Sequence, residues 1–122
     1  MEEFSISAGV REAFQVLVVH GELDELTAPQ LDEKIDGHRN GWPVIVDLSE
    51  TEFVSSAGLH VLLRGRPEQV ALICPPGNIR RLFEIVRADR RVPIYSDLDT
   101  AIQSLTLGEL ADQRDAASAG SS

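Results

Sequence analysis

The apolar positions of this chain change spacing several times, and each change marks a new element. Phe4, Ile6 and Ala8 alternate with polar residues, the spacing of an edge strand. Residues 13–20, AFQVLVVH, are apolar and rich in β-branched side chains, the pattern of a central strand. Residues 21–26 then read as a polar connection. Thr27 is placed to cap a helix with Pro29 in its first turn, and Ala28, Leu31 and Ile35 follow at helical spacing. Gly37 and Gly41 loosen its end. Residues 44–48 and 70–74 read as two further buried strands.

Between those strands lies the most informative stretch, PVIVDLSETEFVSSAGLHVLL, residues 43–63. It predicts a buried strand, a short connection, two adjacent serines and a helix presenting Leu59, Leu62 and Leu63. Gly65 and Pro67 stop that helix, and Arg64 and Arg66 suit its negative end. Asn78 is placed to cap a third helix, on which Ile79, Leu82, Phe83 and Val86 share one face. A short strand over 92–95 follows. Ser96 is placed to cap a last helix with Asp99 three residues on, buried through Leu98, Ala101, Ile102 and Leu105 and ended by Gly108. Two successive strands followed by alternating helices and strands predict one α/β domain over 1–108 with a mixed sheet. Residues 109–122 are small and polar, the composition of a frayed tail.

Hydroxyls at the start of a helix face unpaired backbone N–H groups and the positive end of the helix dipole. With Ser56 as N-cap, its oxygen accepts from a first-turn N–H, a role worth roughly 0.5 to 2 kcal/mol. The same place also accommodates a phosphate. Ser55 is the competing acceptor, and local physics alone does not choose between them. Gly58, without a Cβ, fits either access for a kinase or close helix–strand packing.

The net charge of −9 is unevenly placed: residues 1–50 carry eleven acids against three bases, a balance of −8. That argues against general binding to a phosphate backbone and suits a basic protein partner or simple solubility. Arg80, Arg81, Arg87, Arg90 and Arg91 gather around the Phe83 helix, but Glu84 and Asp89 interrupt them, so a solvated face is the expectation. No apolar run reaches the roughly 18 residues of a membrane span, and MEEFSIS is not a secretory leader. One cysteine, Cys74, fits a reducing compartment, so the cytoplasm is expected.

Enzyme chemistry finds little purchase. The serines lack the first glycine of a G-x-S-x-G elbow, no phosphate-binding G-x-x-x-x-G-K-[ST] loop occurs, and the histidines have no recognisable placement. His20, Glu22 and Asp24 alternate along an extended segment, yet a solvated acidic loop explains them better than a metal site. Neither catalysis nor a cofactor is expected. Trp42 is expected in the core.

Two segments resemble the anti-sigma factor antagonist family, whose domain is called STAS. Gly21-Glu22-Leu23-Asp24 with Thr27-Ala28 and Leu31 is similar to the family's G-x-L-D and helix start. Asp47-Leu48-Ser49, Phe53, Ser56, Gly58-Leu59 and Leu62-Leu63 are similar to its D-L-S, F-x-D-S-x-G-L and paired leucines. The resemblance spans residues 4–107. It implies a mixed sheet of four or five strands with helices mainly on one face. It also implies docking on an anti-sigma factor that is an ATP-dependent serine kinase, so that a sigma factor is released. Ser56 matches the phosphoacceptor and Asp24 an acidic residue near it; Asp24, Thr27, Ser55, Ser56, Ala57, Gly58 and Leu59 form the implied docking surface. Phosphate on the serine switches docking off and a phosphatase restores it. The residue before the acceptor is usually Asp in the family and here is Ser55. Domains of this kind also serve as subunits of stress-sensing assemblies or beside lipid and anion transporters, the alternative reading. Oligomeric state, monomer or weak dimer, is left open.

Overall fold

The computed structural model describes residues 3–37, 44–63 and 70–107. Strand β1 (Ser5–Arg11) turns directly into β2 (Phe14–Leu23), and the two pair antiparallel. The remaining strands run parallel to β2: β3 (Val44–Asp47), β4 (Thr51–Val54), β5 (Val70–Ile73) and β6 (Ile94–Tyr95). Their order is β1-β2-β3-β5-β6, with β4 pairing the far end of β2. The sheet is mixed, as the two leading strands predict, and among the described residues it has six strands. The additional one is β4, which the sequence reading takes as a connection.

Among the described residues four α-helices complete the fold: α1 (Ala28–Asp36), α2 (Ser56–Leu63), α3 (Asn78–Ile85) and α4, over 98–107. Leu17, Val19, Val46 and Leu72 of the sheet pack with Leu31, Ile35, Leu62 and Phe83 in the larger core. On the opposite face Phe14, Val16, Ile45 and Ile73 pack with Ala101 and Ile102 of α4. Three helices therefore cover one face and one covers part of the other, which is the expected asymmetry. The alternating inward positions of β2 serve both layers, so its residues read as an almost continuous apolar run.

Several boundaries move for physical reasons. β2 does not end at His20 but continues through Gly21, whose φ of +88° and close approach to Phe4 suit only a glycine. The pairing of β2 with β4 shifts register at Gly21/Glu22, so this glycine marks an irregularity where the long strand changes neighbours. Asn78 lies inside α3, whose cap position is Gly77. Asp97, not Ser96, opens α4: its Oδ1 accepts from the Thr100 N–H at 2.8 Å. Phe83 is buried as predicted, whereas Val86, at the end of its helix, is 43% exposed. The expected positions of Trp42, Gly41, Arg64, Gly65, Arg66, Pro67, Gly108 and the 109–122 tail lie outside the described residues.

Candidate functional site

Two turns meet at the far end of β2. Leu23 pairs with Val54 of β4, and the Leu23 carbonyl accepts from the Ser55 N–H at 2.9 Å. The chain leaving β2 at Asp24 and the chain entering α2 at Ser55 are thereby fixed side by side. A third contact locks the pair from within. A Cβ on Gly58 would stand 2.6 Å from the Leu23 carbonyl oxygen and 3.1 Å from Val54 Cγ1. Gly58 is buried, and the space its missing side chain leaves is filled by β2. Close helix–strand packing explains this glycine.

The serines divide their roles one residue earlier than sequence spacing suggests. Ser55 is the cap: its carbonyl accepts the first helical N–H, from Leu59, at 2.9 Å, and its Oγ lies 3.3 Å from the Gly58 N–H. Ser56 is the first helical residue, exposed, and its hydroxyl has no hydrogen bond to any described residue. Ala57 and Leu59 are half-buried against the larger core. Ser and Asp are near-equal N-caps because each offers a short side-chain oxygen to a first-turn N–H. A serine in place of the family's usual aspartate therefore keeps the cap. Ser55→Ala is expected to cost about 1 kcal/mol in chemical denaturation, and Ser55→Asp close to nothing.

Asp24 is committed to its own turn. Oδ1 accepts from the Leu26 N–H at 3.0 Å and the Thr27 N–H at 3.1 Å. Thr27 Oγ1 in turn accepts from the Asp24 N–H and lies within donating distance of both the Glu22 carbonyl and Asp24 Oδ1. These bonds, the Leu26 N–H first, hold the Asp24 carboxyl below the usual carboxylate range. The folded-state value is depressed, so the stabilisation is present above the unfolded-state value and is lost as pH falls through the folded one. The stability gap between wild type and Asp24→Ala should therefore narrow as denaturation is repeated below about pH 4.

Three surface features had no signal in the sequence. Leu26, at the tip of the Asp24 turn, is 83% exposed, and Phe53, two residues before the cap, is 51% exposed. A cleft of about 360 Å³ opens beside Ser56, lined by Ser56, Leu59, His60 and Leu63 of α2 with Val86 and Arg91. The last two belong to the segment after α3, and only the fold brings them there. Among the described residues no three His, Cys, Asp or Glu side chains are grouped to hold a metal, and no helix is long and apolar enough to cross a membrane.

Residues 5–101 match the STAS domain family. The chain belongs to that family. STAS relatives with similar sequences include the anti-sigma-F factor antagonist RsfB of Mycobacterium tuberculosis, 24% identical over 116 residues, covering 89% of this chain and 95% of that protein. The crystal structure of an anti-sigma factor antagonist from Mycobacterium paratuberculosis superposes with a TM-score of 0.75 at 26% identity, covering 85% of this chain and 95% of the other. The phosphorylated form of the Bacillus cell fate determinant SpoIIAA shares the fold, with a TM-score of 0.55 at 20% identity over 84% of this chain and 98% of its own. The STAS fold accounts for the mixed sheet with its packed helices.

Proposed function

We propose that this STAS domain is an anti-sigma factor antagonist, acting in the cytoplasm, whose docking is switched off by phosphate on Ser56. The observation that carries the reading is the division of labour between the serines. Ser55 does the capping, so Ser56 Oγ is exposed and uncommitted at the positive end of α2. The similarity to named anti-sigma factor antagonists supports an anti-sigma factor as the partner class, and that partner is taken to be a serine kinase, as the sequence resemblance implies. SpoIIAA, which shares the fold, exists in phosphorylated and unphosphorylated forms.

In the unmodified protein the Asp24–Thr27 turn, the Ser55–Ser56 junction and the outer side of α2 through Leu59 form the docking surface. The partner binds there in competition with its sigma factor, which is released. Modification transfers the γ-phosphoryl group of ATP to Ser56 Oγ; the bond to ADP breaks, the Oγ–P bond forms and the hydroxyl proton passes to a base on the kinase. A separate phosphatase reverses it. The domain supplies a substrate hydroxyl and performs no chemistry itself.

Co-purification followed by competition tests this. A histidine-kinase-like ATPase should be captured by the protein, and adding the protein should free sigma factor from that ATPase. Capture of a membrane permease in its place, with no release of sigma factor, would overturn the reading.

A further inference from the structure

The cleft beside Ser56 is also lined by a cation, Arg91. Ser56 and His60 stand one turn apart on α2, at the i, i+4 spacing of facing side chains. Arg91 lines the same cleft, and no carboxylate does so among the described residues. Arg91 makes no ion pair with any described residue. Its backbone is held firmly: the N–H groups of Arg91 and Val92 donate to the Ala88 carbonyl at 2.9 and 3.0 Å, and Ala88 and Val92 are buried. The anchored segment leaves only the side chain to reorient.

We propose that Arg91 is the phosphate-reading residue of this domain, pairing with phosphoserine 56 and thereby leaving the docking surface. The inference rests on Ser56 being the acceptor. A guanidinium offers parallel N–H donors that match two phosphate oxygens, and a charge-assisted pair of this kind is the strong class of hydrogen bond. Before modification, Arg91 sits among Leu59, Leu63 and Val86 and presents a cation on an apolar cleft. That surface fits a partner segment carrying a carboxylate beside apolar side chains. After modification the guanidinium is neutralised from within and the cleft becomes net negative. The switch removes an attraction as well as adding a repulsion.

The test uses the full chain with phosphoserine installed at position 56, titrated by phosphorus NMR at low salt. All samples carry His60→Gln, which removes the other ionisable side chain lining the cleft beside Arg91. The second phosphate ionisation of this reference protein should lie below the ordinary value of about 6. Adding Arg91→Gln should raise it by about 0.5 pH unit, and Arg91→Lys should restore part of the difference. The helix dipole acts equally in every sample, so the difference isolates Arg91. Circular dichroism confirms that each variant is folded. An identical midpoint with and without Arg91 would overturn the pairing. That outcome leaves Ser56 standing as acceptor, whereas failure of any kinase to modify Ser56 would sink the switch and not this measurement.

Discussion

Phosphate on Ser56 is expected to weaken docking on the anti-sigma factor by about a hundred- to a thousand-fold, equivalent to roughly 2.7 to 4 kcal/mol. The phosphate adds about −1.5 to −2 charges at an exposed position on the first turn of α2. The free protein accommodates that charge, because the N-terminal end of a helix favours an anion. The complex does not. A dianion trapped in a close interface loses its water and meets any acid placed opposite Arg91. Isothermal titration calorimetry of the unmodified, phosphorylated, Ser56→Ala and Ser56→Glu proteins reads the effect. Ser56→Ala should bind as wild type does, and Ser56→Glu, with one charge, should lose about tenfold. Melting temperatures should not fall in any of the four, because the cap belongs to Ser55 and an anion at position 56 is favoured in the free protein. Equal affinities across the series would remove Ser56 from the mechanism.

Gly58→Val is expected to be the most damaging single substitution at the site, costing about 3 kcal/mol. Even one added carbon would stand 2.6 Å from the Leu23 carbonyl oxygen and 3.0 Å from Leu23 Cγ. The obstacle is backbone, held in the β2–β4 pairing, so it cannot swing aside. α2 must tilt outwards, losing the Ser55 N–H bond to Leu23 and opening a gap under Leu62, which is 1% exposed. Against a typical total stability of 5 to 15 kcal/mol this is a large fraction. Gly58→Ala should cost about 1 to 3 kcal/mol, partly offset by alanine's better helix propensity. Gly37 provides the control: its φ is −75° and an added Cβ would meet nothing closer than 3.4 Å. Gly37→Ala should change stability by no more than about 0.5 kcal/mol in urea denaturation. Gly58→Val behaving like Gly37→Ala would mean that the β2–α2 contact is not tight.

The elements that are legible in the sequence are those whose signal is local. Phe83 and Ile102 sit on strongly periodic helices, and the β-branched runs of β2, β3 and β5 announce buried strands wherever they lie in the sheet. β4 escapes because TEFV is four residues long with two of them exposed, so its strand character comes from the neighbouring backbone of β2. Thr51 shows how that neighbour holds it: its buried hydroxyl donates to the Val19 carbonyl at 2.9 Å. The side on which α4 packs is likewise a matter of tertiary arrangement, since its apolar stripe suits either face.

At the site, the identity of the two serines as a helix start is readable, but their order of duty is not. Either hydroxyl satisfies the local rules for a cap. The choice is made 32 residues upstream, where the Leu23 carbonyl takes the Ser55 N–H and sets the first residue of α2. The same distance effect hides Arg91. In the sequence it is one of five arginines around a helix, and only the fold singles it out by bringing it to the cleft that Ser56 lines. Asp24 is legible as a turn residue, while its closed set of backbone bonds emerges only from the geometry.

The most direct measurement is phosphosite mapping by mass spectrometry after incubation with the cognate serine-kinase anti-sigma factor and ATP. The account predicts one phosphate per chain on Ser56, undiminished in Ser55→Asp, which keeps the cap, and absent in Ser56→Ala. Phosphate on Ser55, or continued incorporation into Ser56→Ala at this turn, would contradict it.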